Sequence, residues 1–154
     1  MMKRVLKGIA VGLALLVVTL FGLYVNRSDP YGGLPGKRIR GEEVTGPVKD
    51  WSFAVQYGRV TVEVRPSNPY SVFAGFFLMG KDLYISSAHS RWAQLLRQDS
   101  DMRIRVGDKI YLVSARQVEN PEGLVAVHKA YTDKYPNRTP EETARRWFFR
   151  LGSR

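Results

Sequence analysis

A cluster of hydroxyl-bearing and basic side chains stands within residues 84–98, in the stretch YISSAHSRWAQLLRQ. An apolar run ends in this stretch, and a helix-like pattern begins. Serine hydroxyls can donate hydrogen bonds, arginine can form a bidentate pair with a phosphate, and the free N–H groups at a helix start attract anions. The residues that could hold a phosphate in this way are Ser86, Ser87, Ser90 and Arg91.

The same stretch also has a purely structural interpretation. Ser90 is placed to cap the helix that follows, which leaves Arg91 as a solvated surface charge. Trp92 can stack on a flat cofactor ring, but its helical spacing from Leu95 and Leu96 is equally typical of a core residue. The residues alone leave the phosphate site and the helix cap as open alternatives.

The sequence lacks the motifs of several other catalytic classes. Its 154 residues suit one domain, and the absence of cysteine excludes disulfides, thiolate catalysis and cysteine-bound zinc. The two histidines are too far apart for a metal motif; His89 is interpreted as a solvent-exposed loop residue and His128 as a residue on an apolar helix face. An enzyme of this kind would depend on a bound cofactor for its chemistry.

The basic charge is concentrated around an apolar N-terminal segment. The net charge is +10, and residues 1–40 hold seven basic residues against Asp29 alone. Residues 8–25 carry no charge and span about 27 Å as a helix, enough to cross a bilayer core. The pattern predicts a single-pass anchor in the lipid of the cytoplasmic membrane, with residues 1–7 inside and the body outside, rather than nucleic-acid binding. A cleaved signal peptide is the alternative.

The rest of the chain divides into a linker and a folded body. Residues 26–50 are rich in Gly, Pro and charge and lack apolar periodicity, which is typical of a linker. The body, residues 51–154, alternates short strand patterns with hairpin turns. About six strands and three short helices favour an antiparallel barrel, so the predicted fold class is mainly β behind one transmembrane helix.

Three strand patterns carry further expectations. Residues 59–65 alternate strictly, which predicts a half-buried strand with its valines inward. Arg103 and Arg105 alternate with apolar residues, on a face expected to be solvated or to reach an anionic cofactor. Residues 71–79 are apolar on both faces, and a small barrel encloses only one, which predicts a homodimer. The alternative is that a helix over residues 121–135 covers the second face.

Residues 82–122 resemble the split β-barrel flavoprotein superfamily, which includes the pyridoxamine-phosphate-oxidase-like proteins and the deazaflavin-dependent nitroreductases. The matching stretch is DLYISSAHSRWAQLLRQDSDMRIRVGDKIYLVSARQVENPE. Its features are a strand ending in Ser, a helix with Trp and Leu-Leu, an Arg-Ile-Arg-Val strand, and a return strand to Ala-Arg followed by Pro-Glu. The stretch YPNRTPEETARRWFFRL also resembles the family's C-terminal end, so the resemblance covers roughly residues 51–151.

The resemblance implies a six-stranded antiparallel split β-barrel whose homodimer binds FMN or a deazaflavin (F420) at the subunit interface, as an oxidoreductase of the nitroreductase-like kind. Ser90 and Arg91 stand where the oxidase-like members carry a phosphate-binding Ser-Arg-Lys, with Trp92 in place of the lysine. The implied cofactor-binding residues are Ser86, Ser87, Ser90, Arg91 and Trp92. A cofactor-free barrel that serves as a membrane-tethered interaction or scaffold module stays open as an alternative, as does a haem-binding variant.

Overall fold

A long N-terminal helix precedes a sheet that curls into a barrel. The structure, a computed structural model, describes residues 2–26 and 28–154. Met1, in the predicted cytoplasmic segment, and Arg27, in the predicted linker, lie outside the described residues. The elements in chain order are α1 (Met2–Asn26), β1 (Glu42–Val44), a 3-10 helix (Ser52–Gln56), β2 (Val60–Val64), β3 (Tyr70–Ala74), β4 (Phe76–Met79), β5 (Asp82–Ser87), α2 (Arg91–Gln98), β6 (Asp101–Val106), β7 (Lys109–Gln117), α3 (Pro121–Lys134), α4 (Pro140–Ala144) and β8 (Trp147–Ser153).

Within the described residues, seven antiparallel strands form the barrel, in the order β3-β2-β6-β7-β8-β5-β4, and the short β1 adds a parallel partner to β7. The prediction of a mainly β split barrel is confirmed, but the count of six strands is wrong. The apolar pattern over residues 71–79 predicts one strand, whereas the chain changes partners at Gly75: β3 pairs with β2, and β4 pairs with β5. Because β3 and β4 stand at opposite ends of the strand order, this single residue joins the two ends of the sheet.

The barrel interior is filled by alternate residues of the strands. Strand β2 contributes Val60, Val62 and Val64, and β6 contributes Met102, Ile104 and Val106, as their alternation predicted. Trp51 of the segment before β2 and Trp92 of α2 belong to the same core cluster. The positions of Trp92 and Leu96 on the inner side of α2 follow from their helical spacing.

Helix α3 covers the outer face of strands β4, β5 and β8. Val127 and Tyr131 of this helix pack in one cluster with Phe77, Tyr84 and Phe148. In β4, the second apolar face of the 71–79 run is therefore covered by α3, as the helix alternative predicts, whereas Phe73 in β3 is half-buried and lies outside this cluster. This reduces the exposed patch on which the dimer expectation rests, and dimerisation itself stays a prediction.

Residues 28–44, which we call the strap, lie across strands β2, β6 and β7. Gly36 exchanges two backbone hydrogen bonds with Ser71 of β3, and Glu42–Val44 pairs along β7. Ile39 is buried under this segment. The strap covers the face of β2 that was expected to meet solvent, so all five residues of β2 are buried and the half-buried prediction is wrong.

The two arginines of β6 are held by the strap rather than solvated, which corrects the first of the two expectations for them. Arg103 pairs with Glu63 at 3.0 Å and with Glu43 at 3.1 Å. Arg105 pairs with Asp29 at 2.7 Å. Glu63 has no solvent exposure, so its charge is compensated inside the protein by Arg103.

Two helices, α4 and α1, have features that the local sequence predicts. Thr139 and Glu142 form the capping box that their spacing predicts. In α1, the window Leu6–Val25 is long enough and apolar enough to cross a membrane, and none of it is buried in the structure.

Candidate functional site

Ser87 and Ser90 meet at the start of α2. Their hydroxyl oxygens are 2.6 Å apart, and the Ser90 N–H donates to Ser87 Oγ at 3.0 Å. When the Ser87 proton points to Ser90, the Ser90 hydroxyl keeps its own proton for an outside acceptor. The pair thus presents one hydroxyl donor beside the N–H groups at the helix start, which is a suitable arrangement for an anion.

Ser90 occupies the N-cap position of α2 without the side-chain bond that the sequence predicts. Its carbonyl accepts from Ala93 and Gln94, but its hydroxyl bonds to Ser87 instead of a helix N–H. The loop is turned by His89, which has a positive φ of 58°, a rare conformation for a residue with a Cβ. The turn brings Ser90 back toward Ser87, and this competing contact displaces the cap.

Ser86 points away from the other two serines. Consecutive residues of a strand face opposite sides, and Ser86 pairs with Phe148 on the outer face. There its hydroxyl accepts from Arg146 Nε at 3.3 Å, and the Ser86 carbonyl accepts from the same guanidinium at 3.4 Å. The structure therefore brings Ser87 and Ser90 together and separates Ser86 from them.

Arg91 is exposed and borders a cleft. Its guanidinium lies over the Tyr70 ring, 5.3 Å from the ring centre. The cleft has a volume of about 270 Å³ and is also lined by Ser90, Trp92 and the strap residues Pro30 and Leu34. A guanidinium on a cleft wall, one residue from a serine hydroxyl, can donate its N–H groups to the oxygen atoms of a phosphate.

Trp92 lies mostly in the core. It is 7% exposed, belongs to the main core cluster, and its ring centre lies 6.2 Å from that of Phe149. This is the core alternative that its helical spacing offered. Only the edge that reaches the cleft wall remains near a ligand, so Trp92 presents little surface for stacking.

Trp147 and Arg146 lie beside the loop, and the sequence did not assign them to the site. The ring of Trp147 contacts His89, at 4.2 Å between ring centres, and its centre lies 4.5 Å from the guanidinium carbon of Arg97. Trp147 reaches this position because it pairs with Ser87 across β5 and β8. Arg146 reaches Ser86 through the same strand pairing. Residues about 60 positions apart give no local signal that they meet.

A second cleft of about 380 Å³ lies on the outer face, near Tyr84, Arg116 and Arg150. Burial raises the pKa of Tyr84, Arg150 opposes the rise, and Asp82 adds to it. The phenol is therefore protonated at neutral pH and can donate a hydrogen bond. Arg150 is paired with Asp82 at 2.8 Å, and this pair raises the pKa of the guanidinium.

Comparison with known proteins identifies the fold. No protein-family model matches the sequence, and no curated protein matches it. Among solved structures, HutZ, the haem storage protein of Vibrio cholerae, superposes with a TM-score of 0.56 at 16% identity, covering 66% of this chain and 85% of HutZ.

Two further structures superpose to a similar extent. A proposed pyridoxamine 5′-phosphate oxidase of Listeria innocua gives a TM-score of 0.51 at 12% identity, covering 65% of this chain and 86% of the other. A proposed 5-nitroimidazole antibiotic resistance protein of Bacteroides thetaiotaomicron gives 0.51 at 12% identity, covering 70% and 82%. The chain therefore has the split β-barrel fold of the pyridoxamine-phosphate-oxidase-like proteins, as the sequence resemblance implied; identities this low establish the fold alone.

Proposed function

We propose that the chain is a membrane-anchored split-barrel protein that binds FMN or a deazaflavin and acts as an oxidoreductase of the nitroreductase-like kind. The observation that carries the proposal is the Ser87–Ser90 hydroxyl pair beside the exposed Arg91, with Ser90 and Arg91 on the wall of a cleft. These groups fit the phosphate end of such a cofactor. A bound flavin or deazaflavin supplies the hydride chemistry, and the protein supplies placement and electrostatics.

Each residue has a separate part in this arrangement. Ser90 donates its hydroxyl to the phosphate while Ser87 fixes the orientation of that hydroxyl. Arg91 provides the planar pair of N–H groups and the opposite charge. The cleft of about 270 Å³ is smaller than most ligand pockets, so the ring of the cofactor extends beyond one subunit toward a partner in a homodimer.

The first test is a titration of FMN and of a deazaflavin into the wild type and the Arg91→Ala variant. Loss of a charge-assisted pair weakens binding by about 1.5–3 kcal/mol, or roughly ten- to a hundred-fold. Stability should change little, because Arg91 is exposed. Arg91→Lys should recover part of the affinity, since lysine keeps the charge but not the planar fork.

Arg97→Ala is the matched control. Arg97 is also an exposed arginine of α2, but it lies on the Trp147 ring rather than on the cleft. The Arg97→Ala variant should bind the cofactor with the affinity of the wild type. Micromolar binding that survives Arg91→Ala unchanged would place the phosphate elsewhere.

A cofactor-free interaction or scaffold module is the second candidate. The contacts that favour it are those of Ser86 with Arg146 and of Trp92 with the core, because both residues already have structural partners. The absorbance spectrum of the purified protein separates the two candidates. A flavin or deazaflavin band supports the first, a flat trace together with failed titrations supports the second, and a sharp Soret band would indicate haem.

The membrane anchor of the proposal is tested by a reporter fused after Arg154. Residues 8–25 are expected to hold the protein in the cytoplasmic membrane with the barrel outside, because Lys3, Arg4 and Lys7 precede the apolar run. The reporter should be active only outside the cytoplasm. Cytoplasmic activity with membrane retention reverses the orientation, and a soluble product refutes the anchor.

A further inference from the structure

The strap is tied to the barrel within a few residues of the end of α1. Helix α1 ends at Asn26, and Asp29 pairs with Arg105 of β6 at 2.7 Å. Three residue steps of extended chain span at most about 11 Å. If α1 crosses a bilayer, the barrel therefore stays close to the point where the chain leaves the lipid.

The strap begins as a small hairpin. Ser28 O accepts from the Lys37 N–H at 2.7 Å, and Tyr31 and Leu34 exchange backbone hydrogen bonds at 3.1 and 2.9 Å. The base is tightly packed at Gly36, where a Cβ would collide with the Ser28 carbonyl. The hairpin is thus a fixed structure of the strap, and its turn, Tyr31–Leu34, forms a defined tip.

The tip presents two large side chains to solvent. Tyr31 is 81% exposed and Leu34 is 53% exposed. Tyrosine is enriched at membrane–water interfaces, where its ring lies in the apolar layer and its hydroxyl in the headgroups. The strap also carries the exposed basic residues Lys37, Arg38 and Arg40, whose charge suits anionic lipid headgroups.

We propose that the Tyr31–Leu34 tip docks on the surface of the phospholipid bilayer that α1 crosses. The proposal rests on the membrane anchor proposed above. Leu34 and Pro30 also line the cleft that Arg91 borders. With the tip in the interface, this cleft opens at the level of the headgroups, and ligands reach Arg91 from the membrane surface rather than from bulk water.

The absence of cysteine allows a site-specific test on the full chain. Leu34→Cys carries an environment-sensitive fluorophore, and the protein is reconstituted in vesicles of phosphatidylcholine and phosphatidylglycerol. The matched control is Lys81→Cys, whose side chain is 74% exposed in the β4–β5 turn. Strand β5 separates this turn from the Ser87 end by about 20 Å.

The Leu34 label should be quenched several-fold more by lipids spin-labelled near the headgroup than the Lys81 label, and less by aqueous iodide. Gly33→Cys is a second position at the tip, in open space. A label at Gly33→Cys should show the same quenching as the label at Leu34→Cys. The test therefore still works if one of the two variants fails to fold.

Three results overturn the proposal. In the first, iodide quenches both tip labels as strongly as the Lys81 label while the protein resists carbonate extraction; the anchor is then supported and the docking is refuted. If the tip labels are shielded from iodide and also from spin-labelled lipid, a protein such as a second copy covers the tip. If carbonate releases the protein, the anchor and the docking fail together.

Discussion

Glu63 holds the strap to the barrel from a fully buried position. One carboxylate oxygen accepts from the Ile39 N–H at 2.7 Å and from Arg103 at 3.0 Å. Arg103 also reaches Glu43 of the strap, so the guanidinium joins carboxylates from two segments. A buried charge that loses its partner is strongly destabilising, although the complete pair contributes little compared with an apolar substitute.

We expect Arg103→Ala to lower the free energy of unfolding by about 3–5 kcal/mol, because it leaves the Glu63 charge buried and unpaired. The double variant Glu63→Gln with Arg103→Met should recover part of this loss. Arg150→Ala is the control, since its pair with Asp82 is about half exposed and is worth about 1 kcal/mol or less. Urea denaturation measures all three. An Arg103→Ala loss no larger than the Arg150→Ala loss would contradict the role of the buried pair.

Among the elements, the junction of β3 and β4 decides how the sheet closes. At Gly75 a Cβ would lie 2.9 Å from Tyr135 Oη, and that hydroxyl donates to the Phe76 carbonyl at 2.8 Å. Burial raises the pKa of Tyr135, so the donor keeps its proton at neutral pH. The Tyr135 hydroxyl therefore satisfies a carbonyl at the point where the strand changes partners.

Gly75→Ala should displace the Tyr135 hydroxyl and destabilise the protein by about 1 kcal/mol through the lost hydrogen bond. In a Tyr135→Phe background the same substitution should cost less, because the clashing oxygen is gone. Gly58→Ala is a control in open space. A double-mutant cycle in urea gives the coupling. Additive effects of the two changes would show that Gly75 and Tyr135 act independently.

The strap is the second element with a measurable contribution. A chain of residues 51–154 loses the Ile39 N–H and Glu43 from the pair around Glu63 and Arg103, and it exposes the surface that Ile39 covers. It should be less stable than residues 28–154 by at least about 2 kcal/mol. Thermal and urea denaturation compare the two chains. Equal stabilities would mean that residues 28–50 act only as a linker.

At the scale of the whole molecule, we expect residues 28–154 to form a homodimer. The reason is the size of the cleft beside Arg91. Its volume in one subunit, about 270 Å³, is too small to bury a flavin. Light scattering at micromolar concentration should give twice the mass of one chain. A monomer both with and without added FMN or deazaflavin would contradict the shared site.

The periodic apolar residues of this sequence determined most of its elements. The strands over 101–106 and 109–117, the helix over 91–98 and the capping box at Thr139 follow from alternation, helical spacing and local side-chain bonds. Such signals act between residues a few positions apart, so they can be read without a fold. The candidate site residues Ser87, Ser90 and Arg91 could also be predicted locally, because they are neighbours in the sequence.

The tertiary structure alone decided which of these groups meet. The change of strand partner at Gly75, the burial of Glu63 under the strap, and the separation of Ser86 from Ser87 depend on pairings between distant segments. A charged residue at an alternating strand position predicts a solvent-exposed face unless another segment supplies its partner. Arg103 is instead covered by residues that lie 60 and 64 positions away in the sequence. Local patterns set the direction of each side chain, whereas long-range packing sets what that side chain contacts.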